Sequence, residues 1–212
     1  MNTIKQLNKT LEADARIKVV TVNQFKMMHK NTPSSKIDGL VRRIESVEKL
    51  LDGYKITFDS GDTLAVRYDG AINKNETGYK FNIDAHTGHN RIKILNYNAS
   101  LYPEKIIGIC DAYLKDCLPA SFKGLVVNSM DGSGSFITAD KLGIIPDFRE
   151  INLEWTTISR NSSHGNKILK IAEKIEAVYR YSANDKVIND AWDTHSKMWL
   201  KHYMMNNYIK IK

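Results

Sequence analysis

The sequence predicts an α+β fold, and three patterns carry that prediction. Apolar and polar residues alternate over Tyr54–Phe58 and again over Leu64–Tyr68, as in strands buried on one face. Between Ile106 and Leu118 the spacing becomes helical. From Ser159 onward Ile168, Leu169, Ala172, Ile175, Val178 and Tyr179 fall on one helical stripe. With 212 residues, 42% hydrophobic and 26% charged, the chain is globular by composition. No run approaches the ~18 apolar residues of a membrane span.

The elements follow in chain order. Ile4, Leu7 and Leu11 have helical spacing, and Met1–Lys18 is polar, with Glu12 and Asp14, so no secretory signal is expected. Ile17–Phe25 is rich in β-branched residues and reads as extended. His29–Gly39, with Asn31, Pro33, Ser34 and Ser35, reads as a loop and as the first linker candidate. Leu40–Val47 fits a strand or a short helix. The strands at 54–58 and 64–68 meet at Ser60-Gly61-Asp62, a hairpin turn. This hairpin reads as a packing unit rather than a nucleic-acid reader, because no cluster of exposed aromatics accompanies it.

Asn73–Thr77 is polar loop. Gly78–Ile94 predicts a second hairpin: Tyr79, Phe81 and Ile83 alternate, Thr87-Gly88 turns, and Ile92 and Ile94 follow. The 106–118 helix is expected to end near Pro119. Leu125–Asn128 is a short apolar strand that runs into Asp131-Gly132. Ser133–Glu150 has little pattern, Asn152–Trp155 reads as extended, and a helix begins near Ser159. A further helix starts near Asn184 or Asp185 and carries Val187, Ile188, Ala191, Trp192 and Trp199. The organisation is a β-rich N-terminal region, 1–77, a central region, 78–165, and a C-terminal helical region, 166–212.

Charge narrows the function classes. The net charge is +7, unevenly spread. Residues 1–50 hold ten Lys/Arg against five Asp/Glu, residues 160–212 the same, and residues 51–159 eleven against fourteen. Basic ends favour phosphate contacts with nucleic acid, while a solvated lysine-rich surface gives the same totals. Two cysteines exclude a disulfide scaffold and point to a reducing, intracellular compartment. Cys110 and Cys117 lie seven apart on the predicted helix, hence on one face, and read as buried thiols rather than zinc ligands. His86 and His89 flank Thr87-Gly88 and read as turn residues, and Asp111 and Asp116 as surface charges.

One set of motifs is specific. Val126-Val127-Asn128-Ser129-Met130-Asp131-Gly132 is followed, after a spacer, by Asn152-Leu153-Glu154-Trp155-Thr156-Thr157 and Ser159-Arg160-Asn161-Ser162-Ser163-His164-Gly165. This resembles the HNH endonucleases, in particular the homing-type enzymes of phages, over residues 78–165. Their pattern reads roughly V-N-H-x-D-G, then N-L-E-W-x-T-x-x-x-N-x-x-H. The resemblance implies a ββα-metal unit in the central region, gripping one Mg²⁺ or Mn²⁺ between two strands and a helix. It implies a hydrolase acting on DNA phosphodiesters, with double-stranded DNA as partner, in the cytoplasm of a phage-infected bacterial cell. Asn128 and Asn161 match the metal-side positions, and Asn152 matches a loop-bracing asparagine. Trp155 matches a core aromatic, His164 the histidine after the last asparagine, and Asp131 and Gly132 the turn.

The departure is at the catalytic base. Ser129 stands where the family has histidine, and serine accepts no proton near neutral pH. Both metal-side residues are neutral amides, which makes a weak metal site. Residues 101–165 hold six Lys/Arg against eight Asp/Glu, although a duplex-gripping core is expected to be basic. Three readings follow. The chain is a former nuclease that acts by binding DNA or a host protein, as an inhibitor or regulator. Or it is an active endonuclease or nickase with a substitute base, His164, His86 or His89. Or serine replaces the base so as to trap a complex. Arg160, Lys167, Lys170, Lys174, Lys197 and Lys201 are the candidate nucleic-acid contacts of the C-terminal helices. The competing role for those helices is to cover the core, with Trp192, Trp199, Tyr203, Met204, Met205 and Tyr208 buried or meeting a protein.

Overall fold

The computed structural model describes residues 18–74, 79–83, 90–94, 99–134 and 145–181. It contains helices and antiparallel sheets, an α+β fold. Strand β1, Val19–Val20, leads into helix α1, Val22–Met28. A capping box starts that helix. Thr21 Oγ1 accepts from Gln24 N at 3.1 Å, and Gln24 Oε1 accepts from Thr21 N at 3.0 Å. Two N–H groups that a helix start leaves unpaired are thereby satisfied. The extended reading of Ile17–Phe25 therefore ends at Val20, because the cap outweighs the β-branched run.

Helix α2, Gly39–Arg43, passes directly into strand β2, Ile44–Lys49. Leu40–Val47 is thus helix in its first half and strand in its second. Strands β3, Gly53–Phe58, β4, Thr63–Arg67, and β5, Ile72–Lys74, complete a four-stranded antiparallel sheet in the order β2-β3-β4-β5. The alternation seen in the sequence sets its register, with Tyr54 opposite Val66 and Ile56 opposite Leu64, all four buried. The second hairpin is present as β6, Tyr79–Ile83, against β7, Asn90–Ile94, with β8, Ala99–Leu101, added on the far side of β7. Its expected turn, with His86 and His89, lies outside the described residues.

Helix α3, Pro103–Leu114, has Pro103 at its first position, where a missing N–H costs nothing. It stops earlier than the sequence implied. Asp116 adopts a left-handed φ of 52°, and Cys117 N turns back to Ala112 O at 2.9 Å. Cys117 therefore lies beyond the helix and does not share its face with Cys110. Both thiols are buried and free, and burial pushes both thiol pKa values up. Leu118–Pro119 is strand β9, paired with β1.

Strands β10, Leu125–Ser129, and β11, Leu153–Thr157, form an antiparallel pair, and helix α4, Ile158–Tyr181, follows directly. Helix α3 packs on this pair and on the four-stranded sheet. The close approach depends on Gly108, where a Cβ would lie 2.6 Å from Val127 Cγ2. One buried cluster runs from Val20 and Phe25 through Tyr54 and Ile106 to Trp155. It draws on both sides of the 77/78 boundary read from the sequence. Among the described residues no helix is long and apolar enough to cross a membrane. The helix expected around Ile4–Leu11 and the one expected from Asn184 lie outside the described residues.

Candidate functional site

The register of β10 on β11 places Asn128 opposite Glu154. Asn128 Nδ2 donates to Glu154 Oε1 at 3.0 Å and lies 3.3 Å from His164 Nδ1. Three side chains from β10, β11 and α4 thus meet, and α4 packs against both strands. Asn161 sits half-buried one helical turn before His164, on the same side of α4, with no hydrogen bond to this group among the described residues.

The next residue along β10 faces the other way, as alternation requires. Ser129 is 3% exposed, and its Oγ accepts from Gly134 N at 2.6 Å. It belongs to a second, tightly laced group. Asn152 Oδ1 accepts from Asp131 N at 3.1 Å, and its Nδ2 donates to Asp147 O at 2.6 Å. Its main-chain oxygen accepts from Met130 N at 2.8 Å. Asp131 Oδ1 takes Ser133 N at 2.8 Å, and Ser133 Oγ takes Asp147 N at 3.0 Å. Arg149 holds Asp147 through Nε and Nη2, at 2.9 and 2.7 Å. Residues 129–134 and 147–152 are so joined by hydrogen bonds into one turn-like unit.

Gly132 lies within that turn at φ +79°, and a Cβ there would come 2.4 Å from Ile168 Cγ2. The turn therefore presses directly on α4. Burial pushes the Asp131 carboxyl up, against the hydrogen bonds from Asn152 and Ser133, and its Oδ2 has no partner among the described residues. Trp155 is buried, tilted against Phe122 with ring centroids 5.5 Å apart.

The segment entering the turn is tied to the four-stranded sheet through Glu150. Its Oε1 accepts from Tyr54 OH, from Tyr68 OH at 3.1 Å, and from Lys49 Nζ at 2.9 Å. Burial works against the charge, but the hydrogen bonds from Tyr54 and Lys49 outweigh it and hold the Glu150 carboxyl down to about 2.

The residues singled out from the sequence fall into these groups. Asn128 and His164 come together, and Asn128 also meets Glu154. Ser129, Asp131, Gly132 and Asn152 form the turn. Arg160, Lys167 and Lys170 are exposed on α4. Lys174 lies within α4, and Lys197 and Lys201 lie outside the described residues. Glu154 was not singled out as a site residue. Its role depends on strand register, which a motif does not display.

Chemically, the group offers one amide, one carboxylate and one imidazole. Among the described residues no three His, Cys, Asp or Glu side chains gather as a metal-binding group. A hard divalent cation prefers several oxygen ligands, so this donor set fits it only weakly. Comparison with known proteins finds no matching family model, no matching curated protein and no matching solved structure.

Proposed function

We propose that the protein binds double-stranded DNA on a scaffold resembling the HNH endonucleases, with phosphodiester cleavage impaired or lost. In this reading β10, β11 and α4 correspond to the ββα-metal unit of the family. The observation that carries it is Ser129. At the position of the family's base histidine there is a buried hydroxyl whose oxygen already accepts from Gly134 N. Loss of a general base removes ~10²–10⁴-fold in rate. Mg²⁺ or Mn²⁺, if taken up, would be held by the Glu154 carboxylate and the Asn128 amide oxygen. Bound there, the ion would offset charge on a phosphate oxygen. Arg160, Lys167 and Lys170, exposed on α4, supply phosphate contacts.

A second reading, cleavage with a substitute base, is favoured by the approach of His164 Nδ1 to Asn128. Two measurements separate the alternatives. Plasmid nicking with Mg²⁺ or Mn²⁺ is compared for the unaltered protein, Ser129→His and His164→Ala, and duplex affinity is followed against salt. No nicking by the unaltered protein, with affinity that falls steeply as salt rises, supports the proposal. Nicking that disappears in His164→Ala supports the substitute base instead. Affinity that is flat against salt removes the DNA reading and turns the search to a host protein partner.

A further inference from the structure

We infer that the cleft between α1 and the α2–β2 junction is a phosphate-binding site, taking the phosphate of a nucleic-acid backbone or of a free nucleotide. The cavity measures about 420 Å³, within the range of small-ligand pockets. Its walls carry Lys26, Lys30, Arg42 and Arg43 against the carboxylates of Glu45 and Asp59.

The partners of these cations make the argument. Lys26 Nζ donates to Ile44 O at 2.9 Å and to Tyr113 OH at 3.1 Å. Arg42 donates to Thr32 O and, at 2.9 Å, to Lys30 O. All four acceptors are neutral. They fix Lys26 and Arg42 in place without cancelling their charge. Lys30 is exposed, and its ammonium has no partner among the described residues. Elsewhere Lys49, Arg67, Lys105, Lys115 and Arg149 are each paired with a carboxylate. Around the cleft four cations therefore face two carboxylates, and the partners of Lys26 and Arg42 leave the charge of those two side chains in place. Donors held in position around a cavity favour an anion, and a phosphate can accept from several at once.

The cleft shares no residue with β10, β11 or α4, so it does not depend on any nuclease ancestry. Only its nucleic-acid arm rests on the DNA reading. Two probes, ATP and a 20-base-pair duplex, are titrated separately against the unaltered protein, Lys30→Gln, Lys26→Met and a control, Lys123→Gln. Lys30→Gln removes an exposed charge and leaves the melting temperature unchanged. The expected result is that at least one probe binds and that Lys30→Gln weakens it about threefold or more at 50 mM salt. For the duplex, the slope of log affinity against log salt also falls by about 1. Lys123→Gln changes neither quantity.

A responding duplex assigns the site to the nucleic-acid backbone, and responding ATP assigns it to a nucleotide. If the duplex fails to bind while ATP responds, the cleft stands and the DNA reading falls. If the duplex binds and neither Lys30→Gln nor Lys26→Met alters it, and ATP does not respond, the cleft proposal falls and the DNA reading survives on another surface. Absence of both interactions at millimolar protein and probe also overturns it.

Discussion

Replacing Asn152 with alanine tests whether the turn beside the candidate site is held by one side chain. Asn152 makes two buried side-chain hydrogen bonds, accepting from Asp131 N and donating to Asp147 O. Alanine removes both and leaves a buried N–H and a buried C=O without those partners. Each stranded group costs about 1–3 kcal/mol, so the pair costs about 3 kcal/mol after partial relaxation. A domain's whole stability is about 5–15 kcal/mol, so the loss is large. With a urea m-value of about 2 kcal/mol/M, the unfolding midpoint should fall by about 1.5 M. Equilibrium urea unfolding followed by tryptophan fluorescence measures it. Asn152→Asp keeps an acceptor for Asp131 N but cannot donate to Asp147 O, and it adds charge beside Asp131 and Asp147. It should also destabilise. A midpoint shift below about 0.25 M for Asn152→Ala would refute the bracing role.

Three further outcomes follow from the same geometry. Gly132→Ala should cost about 2–3 kcal/mol, from its left-handed φ and the approach to Ile168. The cost should shrink in an Ile168→Ala background, and a double-mutant cycle showing simple additivity would contradict the contact. Gly165→Ala should instead stabilise by about 0.5–1 kcal/mol, because Gly165 lies inside α4 and a Cβ there meets nothing within 4 Å; a lowered melting temperature would argue against that environment. Glu150, held down to about 2 from an ordinary 4.5, contributes stability that is fully present above pH 4.5 and lost as pH falls toward 2. The stability advantage of the unaltered protein over Glu150→Gln should therefore shrink across that window, and a constant difference would exclude the linkage.

How much of the fold was legible depends on whether the determining interaction is local. The hairpin of β3 and β4 follows from period-2 alternation around Ser60-Gly61-Asp62, which is local, and its register matches the pattern. Helix α1 was equally local, yet its signal was the pair Thr21 and Gln24 rather than the β-branched run beside it. The end of α3 was hidden, because Asp116 takes a left-handed φ without the glycine that usually marks such a stop. The links from Glu150 to Tyr54 and Tyr68 span 96 and 82 residues, and no pattern within a segment displays them. The same limit applies to the candidate site. Asn128 and His164 were legible as motif positions, but Glu154 meets Asn128 only through the register of β10 on β11.

Neighbouring residues of β10 serve two separate groups. Asn128, Glu154 and His164 are grouped on one side. On the other side Ser129 is part of the turn, hydrogen-bonded to Gly134 and enclosed. A larger imidazole at 129 would displace Gly134 N from its acceptor, and Phe148 also lies close to Gly134. Histidine at 129 would therefore carry a stability cost of about 1–3 kcal/mol from overpacking.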